Sequence, residues 1–156
     1  MALSAEDWYR VWQASVEGDP GIDPVYDWTT WKEGMAYLGS TQLGLGKKLL
    51  ERYPWSRFEV HPEWTDKDCF AAGIPGRIRF IYQPKRGIYN WTGTTVKGLE
   101  PEVRYSAFYF DPATGRCFDQ GSVNAPSGEY KSPRLPSPQD WVLVLENNEH
   151  QEPKIQ

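Results

Sequence analysis

From residue 56 onward, apolar and polar positions alternate with a period of two. In RIRFIYQ (77–83), Ile78, Phe80 and Tyr82 fall on one face and Arg77, Arg79 and Ile81 on the other. RYSAFYF (104–110) sets Tyr105, Ala107 and Tyr109 against Ser106, Phe108 and Phe110. WVLVLE (141–146) is apolar without interruption, which predicts a central strand covered on both faces. Shorter strands are expected over 58–60, 68–72, 88–91, 94–97, 116–123 and 128–131. The turn signals QPKRG, DPATG, NAPSG and LPSPQD separate them. Short strands at this spacing predict a mainly β fold, an antiparallel β-sandwich over 56–146.

The first third follows a helical period instead. Ser4 and Asp7 have capping-box spacing, Trp8, Val11, Trp12 and Val16 recur on one face, and Gly18 ends the run. After a Pro/Gly/Asp-rich loop, Thr30 and Glu33 repeat the capping spacing. Ser40 or Thr41 would cap a further helix that carries Leu43, Leu49 and Leu50 and stops before Pro54. Gly34, Gly39, Gly44 and Gly46 interrupt this stretch, each at a cost of about 1 kcal/mol relative to Ala in a helix. They mark either breaks between short helices or a face that docks closely on a partner. Residues 1–55 are thus expected to form a helical segment packing on the sandwich or on a partner. The polar tail 147–156 is expected to be disordered.

Bulk properties narrow the function. The 156 residues match one ordinary domain, and the net charge is −4. No Lys/Arg block marks nucleic acid or an anionic membrane as partner. No run of about 18 apolar residues spans a membrane. The start lacks a basic and an apolar region of a signal peptide, so the chain is expected in the cytoplasm unless it is a piece of a secreted protein. Cys69 and Cys117 are too few for a metal site and are expected to be free, mostly buried thiols, with a disulfide open only if the fold brings their Cα atoms within about 7 Å. Aromatic residues reach 15%, with eight Trp, nine Tyr and six Phe, which suits either a packed sandwich core or rings that stack on sugars.

Candidate chemistry is sparse. In DPATG, Asp111 and Pro112 suit a turn and Gly115 the left-handed residue after it, so this stretch reads as a hairpin. A calcium loop would need more oxygen ligands than Asp111 and Asp119 offer. The densest acidic cluster, EVHPEWTDKD, holds Glu59, Glu63, Asp66 and Asp68 beside His61. Two of these carboxylates could run glycoside hydrolysis if they converged, and His61 with Glu63 would give a metal only two ligands; a solvated connecting loop is the favoured reading. No nucleophile elbow, phosphate loop or zinc-binding helix is present, and no cofactor motif appears. The remaining constellation is aromatic. Tyr89 and Trp91 share one side of an extended segment beside Asn90, Lys85 and Arg86, and Trp64 sits in the acidic loop. Such a strip would stack on a glycan, or it would pack into the core.

Three stretches together resemble a known family: GMAYLGSTQLGLGKKLLERYPWSRFEVHPEW, YSAFYFDPATGRCFDQG and SPQDWVLVLE. They look like the C-terminal part of large glycoside-hydrolase-like proteins whose TIM-barrel module is a domain of unknown function. The C-terminal domain of that family carries the label of a collagen-binding domain. The matching motifs run from Leu49-Leu50 to Pro54-Trp55, through Phe110-Asp111-Pro112-Ala113-Thr114-Gly115, to Pro136 and Asp140-Trp141-Val142-Leu143. The resemblance covers about residues 30–146. It implies an antiparallel sandwich packed on a barrel, with the helix before Pro54 as the last barrel helix. The family's catalytic carboxylates lie in the barrel, so no catalytic residue carries over.

The leading expectation is a non-catalytic accessory domain of a carbohydrate-active system. It would bind glycan through Tyr89, Trp91, Trp64, Asn90 and Arg86, or dock a TIM-barrel partner through Gly34, Gly39, Gly44 and Gly46, with a homo-oligomer as a further outcome of an exposed docking face. The alternatives are a small glycan-cleaving enzyme using Glu59, Glu63, Asp66 or Asp68, and a structural scaffold subunit.

Overall fold

The computed structural model describes residues 36–66, 68–85 and 91–147. The chain divides into two units, 1–41 and 42–156. The expected helix over 4–18, the capping pair Thr30 and Glu33, most of the expected strand 88–91 and nearly all of the tail lie outside the described residues.

Helix α1 spans Leu38–Leu50 and runs unbroken through Gly39, Gly44 and Gly46. Ser40 and Thr41 sit inside it rather than capping it. The Thr41 hydroxyl lies 3.5 Å from the carbonyl of Tyr37 one turn back, the mid-helix habit of a side chain with a hydroxyl at Cβ. Lys47 and Lys48 occupy the last turn, where cations favour the negative end of the helix.

Among the described residues eight strands follow: β1 (Glu59–Val60), β2 (Phe70–Ile74), β3 (Ile78–Gln83), β4 (Thr95–Lys97), β5 (Arg104–Phe110), β6 (Cys117–Asn124), β7 (Glu129–Lys131) and β8 (Trp141–Asn147). All pairings are antiparallel. Six strands form one sheet in the order β1-β2-β3-β8-β5-β6, and β4 pairs with β7 in a small second sheet. The apolar run 141–146 is central as expected, flanked by β3 and β5.

The large sheet is covered on both faces. On one, Ile81, Tyr105, Tyr109, Trp141, Leu143 and Leu145 pack with Val96 of β4 and with Leu99 and Leu135 from the loops. The two unequal sheets meet across this core, which makes the sandwich. On the other face, Ile78, Phe80, Phe108, Phe110 and Val144 pack under Leu49 and Leu45 of α1. The two faces follow the alternation in the sequence residue by residue.

The 109–121 stretch is a hairpin turn, as its chemistry predicts. Asp111 accepts from the Ala113 amide at 2.8 Å and from the Thr114 hydroxyl at 2.7 Å, and its carbonyl accepts from the Gly115 amide at 2.8 Å. Gly115 has φ +75°, the left-handed region that favours glycine. A β-carbon there would meet Leu45 at 2.9 Å, so α1 rests directly on this turn. Further along, β6 contains one extra residue opposite Ala107–Phe108, a bulge that bends the sheet edge.

Candidate functional site

The residues expected to form a sugar-binding strip do not share one fate. Trp64 closes a 3-10 turn (Pro62–Trp64) and is buried. The His61 ring stacks on its indole at 3.8 Å between centres and 9° between planes. The Arg79 guanidinium carbon lies 3.9 Å from the same ring. With both groups against it, this indole is enclosed and offers no face to a sugar. Trp91 is half-buried, and Arg134 lies 4.6 Å over its ring. Arg86, Tyr89 and Asn90 are outside the described residues.

Arg79 explains why Trp64 is enclosed. It is fully buried on β3, on the face that looks toward β4 and the following loop. Its Nη1 donates to the Lys97 carbonyl at 2.8 Å, and its Nη2 donates to the Gly98 carbonyl and to both Glu100 oxygens at 3.0 and 3.1 Å. The Tyr105 hydroxyl donates to the same carboxylate. Burial pushes the Glu100 carboxyl up, yet the bonds from Tyr105, from its own backbone and from Arg79 outweigh it, and the group is held below the usual value of 4.5. Burial and the neighbouring Glu100 raise the Tyr105 phenol far above its ordinary range. This network ties the large sheet to the small one; both terminal nitrogens of Arg79 are engaged in it, while its buried Nε has no hydrogen-bond partner.

The acidic loop is likewise committed. Asp66 accepts from Lys97 Nζ at 3.2 Å, from the Thr94 hydroxyl at 3.2 Å and from the Thr95 amide at 3.3 Å. The Lys97 bond, foremost, holds its carboxyl below the ordinary value. Glu63 is 2.8 Å from His61 Nδ1 and points to solvent; its own backbone N–H and then His61 hold its carboxyl low. Glu59 and Asp68 are exposed. Among the described residues no cluster of three metal-binding side chains occurs, and no helix is long and apolar enough to cross a membrane.

The glycines expected to dock a partner fall on open ground. A β-carbon at Gly39, Gly44 or Gly46 would meet nothing within 4 Å, and Gly34 lies outside the described residues. Leu43 on the same helix is 78% exposed. The helix therefore turns a smooth, partly apolar side outward while Leu45 and Leu49 hold it to the sheet.

A second exposed surface went unnoticed in the sequence. Phe70 on β2 and Tyr82 on β3 are directly opposed partners. Both lie on the helix-covered face of the large sheet, at a corner α1 leaves uncovered: Phe70 is 66% exposed and Tyr82 36%. Their ring centres are 6.2 Å apart with planes inclined by 35°. The Tyr82 hydroxyl donates to Asp140 Oδ2 at 2.8 Å, and the Lys85 amide donates to Asp140 Oδ1 at 2.8 Å. Burial and then the Asp140 bond raise the Tyr82 phenol. Aromatic residues at positions 70 and 82 were visible in the sequence, but the strand pairing that sets them side by side was not.

No protein-family model matches the sequence, and no curated protein matches it. Solved structures do share the fold. A chain described as a glycoside hydrolase superposes with a TM-score of 0.58 at 16% identity, over 84% of this chain and 30% of that one. A glycoside hydrolase family 5 protein from Bacteroides vulgatus ATCC 8482 gives 0.59 at 14% identity, over 86% of this chain and 32% of its own. The chain spans about a third of the length of these structures. At such identities the likeness is one of fold: a mostly β arrangement that recurs as one part of larger glycoside hydrolase chains.

Proposed function

We propose that this chain is a non-catalytic accessory domain of a glycoside-hydrolase-like protein, and that the outward side of α1 docks the catalytic module. The observation that carries the reading is one of proportion: the fold accounts for 84–86% of this chain but for only 30–32% of the glycoside hydrolase chains that share it. The remainder of such a chain has room for a catalytic module, and a sandwich needs a surface to meet it. The open glycines and Leu43 supply a smooth apolar side of the kind that close helix packing uses.

The enzyme reading would draw on Glu59, Glu63, Asp66 or Asp68. Against it stands the engagement of Asp66 with Lys97, Thr94 and Thr95, and of Glu63 with His61. A paired acid and base need lone pairs and protons free for substrate.

Two measurements on the whole chain test the proposal. Reducing-sugar release over a panel of plant and microbial polysaccharides is expected to stay at background. Turnover that disappears in Glu63→Gln or Asp66→Asn would overturn the non-catalytic reading. Sedimentation at rising concentration is expected to show self-association that Leu43→Lys removes. A strict monomer with no affinity for a hydrophobic dye would overturn the docking role of α1.

A further inference from the structure

The Phe70–Tyr82 corner is a ligand surface in its own right. The three side chains that line it come from three neighbouring strands. Val60 of β1 pairs with Ala72 of β2, and Ala72 lies on the same face as Phe70 two residues before it. Val60 is 79% exposed, so the apolar surface continues from Tyr82 through Phe70 to the sheet edge. Single exposed apolar residues are ordinary; a contiguous set of a few hundred Å² is the size of a typical monomer's largest apolar patch, which is often functional.

Size selects the occupant. Aromatic side chains carry about 150–250 Å² each, so the exposed fractions here amount to on the order of 300 Å². A stable protein interface needs about 800 Å² per partner. The corner is too small for a second protein and suits a ligand one or two rings long.

Chemistry selects it further. The Tyr82 ring is held by its bond to Asp140, and Asp140 is held in turn by the Lys85 amide. A ring fixed before binding loses little freedom on contact. An ionised carboxylate has about four lone-pair sites, of which these two bonds use two. The remaining sites could accept from ligand hydroxyls beside the Tyr82 ring. Ring faces flanked by a hydrogen-bond acceptor match a pyranose, which has apolar C–H faces and a hydroxyl edge. The charge on Asp140 disfavours uronic or sulfated sugars. The 35° inclination of the rings suits successive units of a single chain rather than a flat crystalline surface.

We propose that Phe70 and Tyr82, with Asp140, form a binding site for a neutral pyranose chain. The inference rests on the accessory reading above, but it uses a surface separate from α1.

The test is calorimetric titration of the whole chain with β-1,4-linked glucohexaose, mannohexaose and xylohexaose. At least one is expected to bind. Phe70→Ala should weaken it tenfold or more, Tyr82→Phe several-fold, and Leu43→Lys not at all. Phe70→Thr, which keeps a strand-forming residue at the exposed position, should reproduce Phe70→Ala if that variant folds poorly. No binding to any of the three, or unchanged affinity in both Phe70 variants, overturns the site. A change of sedimentation in Phe70→Ala would instead mean that a second copy covers the corner, and would also overturn it. Reducing ends appearing in the titration cell would overturn the accessory reading and leave the affinity comparison to judge the site separately.

Discussion

Arg79 is fully buried, and its Nη2 donates to both carboxylate oxygens of Glu100, at 3.0 and 3.1 Å. The two residues lie 21 positions apart, on β3 and in the loop after β4. Their contact, with the Lys97 and Gly98 carbonyls, joins the two sheets. Removing one member of a buried pair leaves the other charge uncompensated, which costs about 3–5 kcal/mol. Glu100 is a quarter exposed and keeps its bond from Tyr105, so Arg79→Ala should lower the free energy of urea unfolding by the lower end of that range, about 3 kcal/mol, and it should loosen Trp64, whose indole loses one of its two covers. Tryptophan emission shifted to the red in the folded variant would show it. An unchanged midpoint would contradict the role given to this pair.

The same network sets a pH window. Glu100, Asp66 and Asp111 are all held below their ordinary values in the folded chain. A depressed carboxyl gives stability that is complete above its unfolded value and is lost as pH falls through the folded one. Unfolding should therefore become easier below about pH 4. Tyr53 and Tyr105 are raised well above the ordinary 10.0, by burial first and by bonds to Glu146 and Glu100 next. Their contribution is complete below 10.0 and is lost as pH rises toward the folded values. Melting temperature against pH should show a plateau with both shoulders. Tyr105→Phe should flatten the alkaline one.

Glycine substitutions should separate into two groups. At Gly73 a β-carbon would strike the Ile78 carbonyl, and at Gly93 it would strike Ser132 and Pro133. Those obstacles are mainly backbone and cannot swing aside, so Gly73→Ala and Gly93→Ala should each prevent stable folding. Gly44→Ala and Gly46→Ala meet open space within a helix and should stabilise the chain by roughly 1 kcal/mol each. Thermal melts of the four variants test the division. Weaker binding to a catalytic module by the stabilised Gly46→Ala variant would support docking at that face.

The two thiols should differ in reactivity. Cys69 is buried as expected, whereas Cys117 is exposed on β6, and neither forms a disulfide. A thiol reagent should titrate one equivalent on the folded chain and two after unfolding. Cys117→Ser should remove the fast equivalent alone. Two fast equivalents would mean that the β2 end opens readily around Cys69.

Period-two alternation in the sequence determined which side chains of 77–83 and 104–110 face the same way, because successive residues of a strand point to opposite faces whatever they pair with. The apolar run 141–146 determined a strand covered twice, and Asp111, Pro112 and Gly115 determined their turn through bonds within five residues. Only the tertiary structure decided which aromatic rings are covered. Trp64 is enclosed because Arg79, fifteen residues away, reaches it, and Phe70 is bare because α1 ends its cover short of that corner. The glycines of α1 suited either breaks between short helices or a docking face; the helix runs unbroken through Gly39, Gly44 and Gly46, which are open, whereas Gly73 and Gly93 are hemmed in by backbone. Exposure and close approach depend on elements distant in sequence, and alternation along one strand carries no information about them.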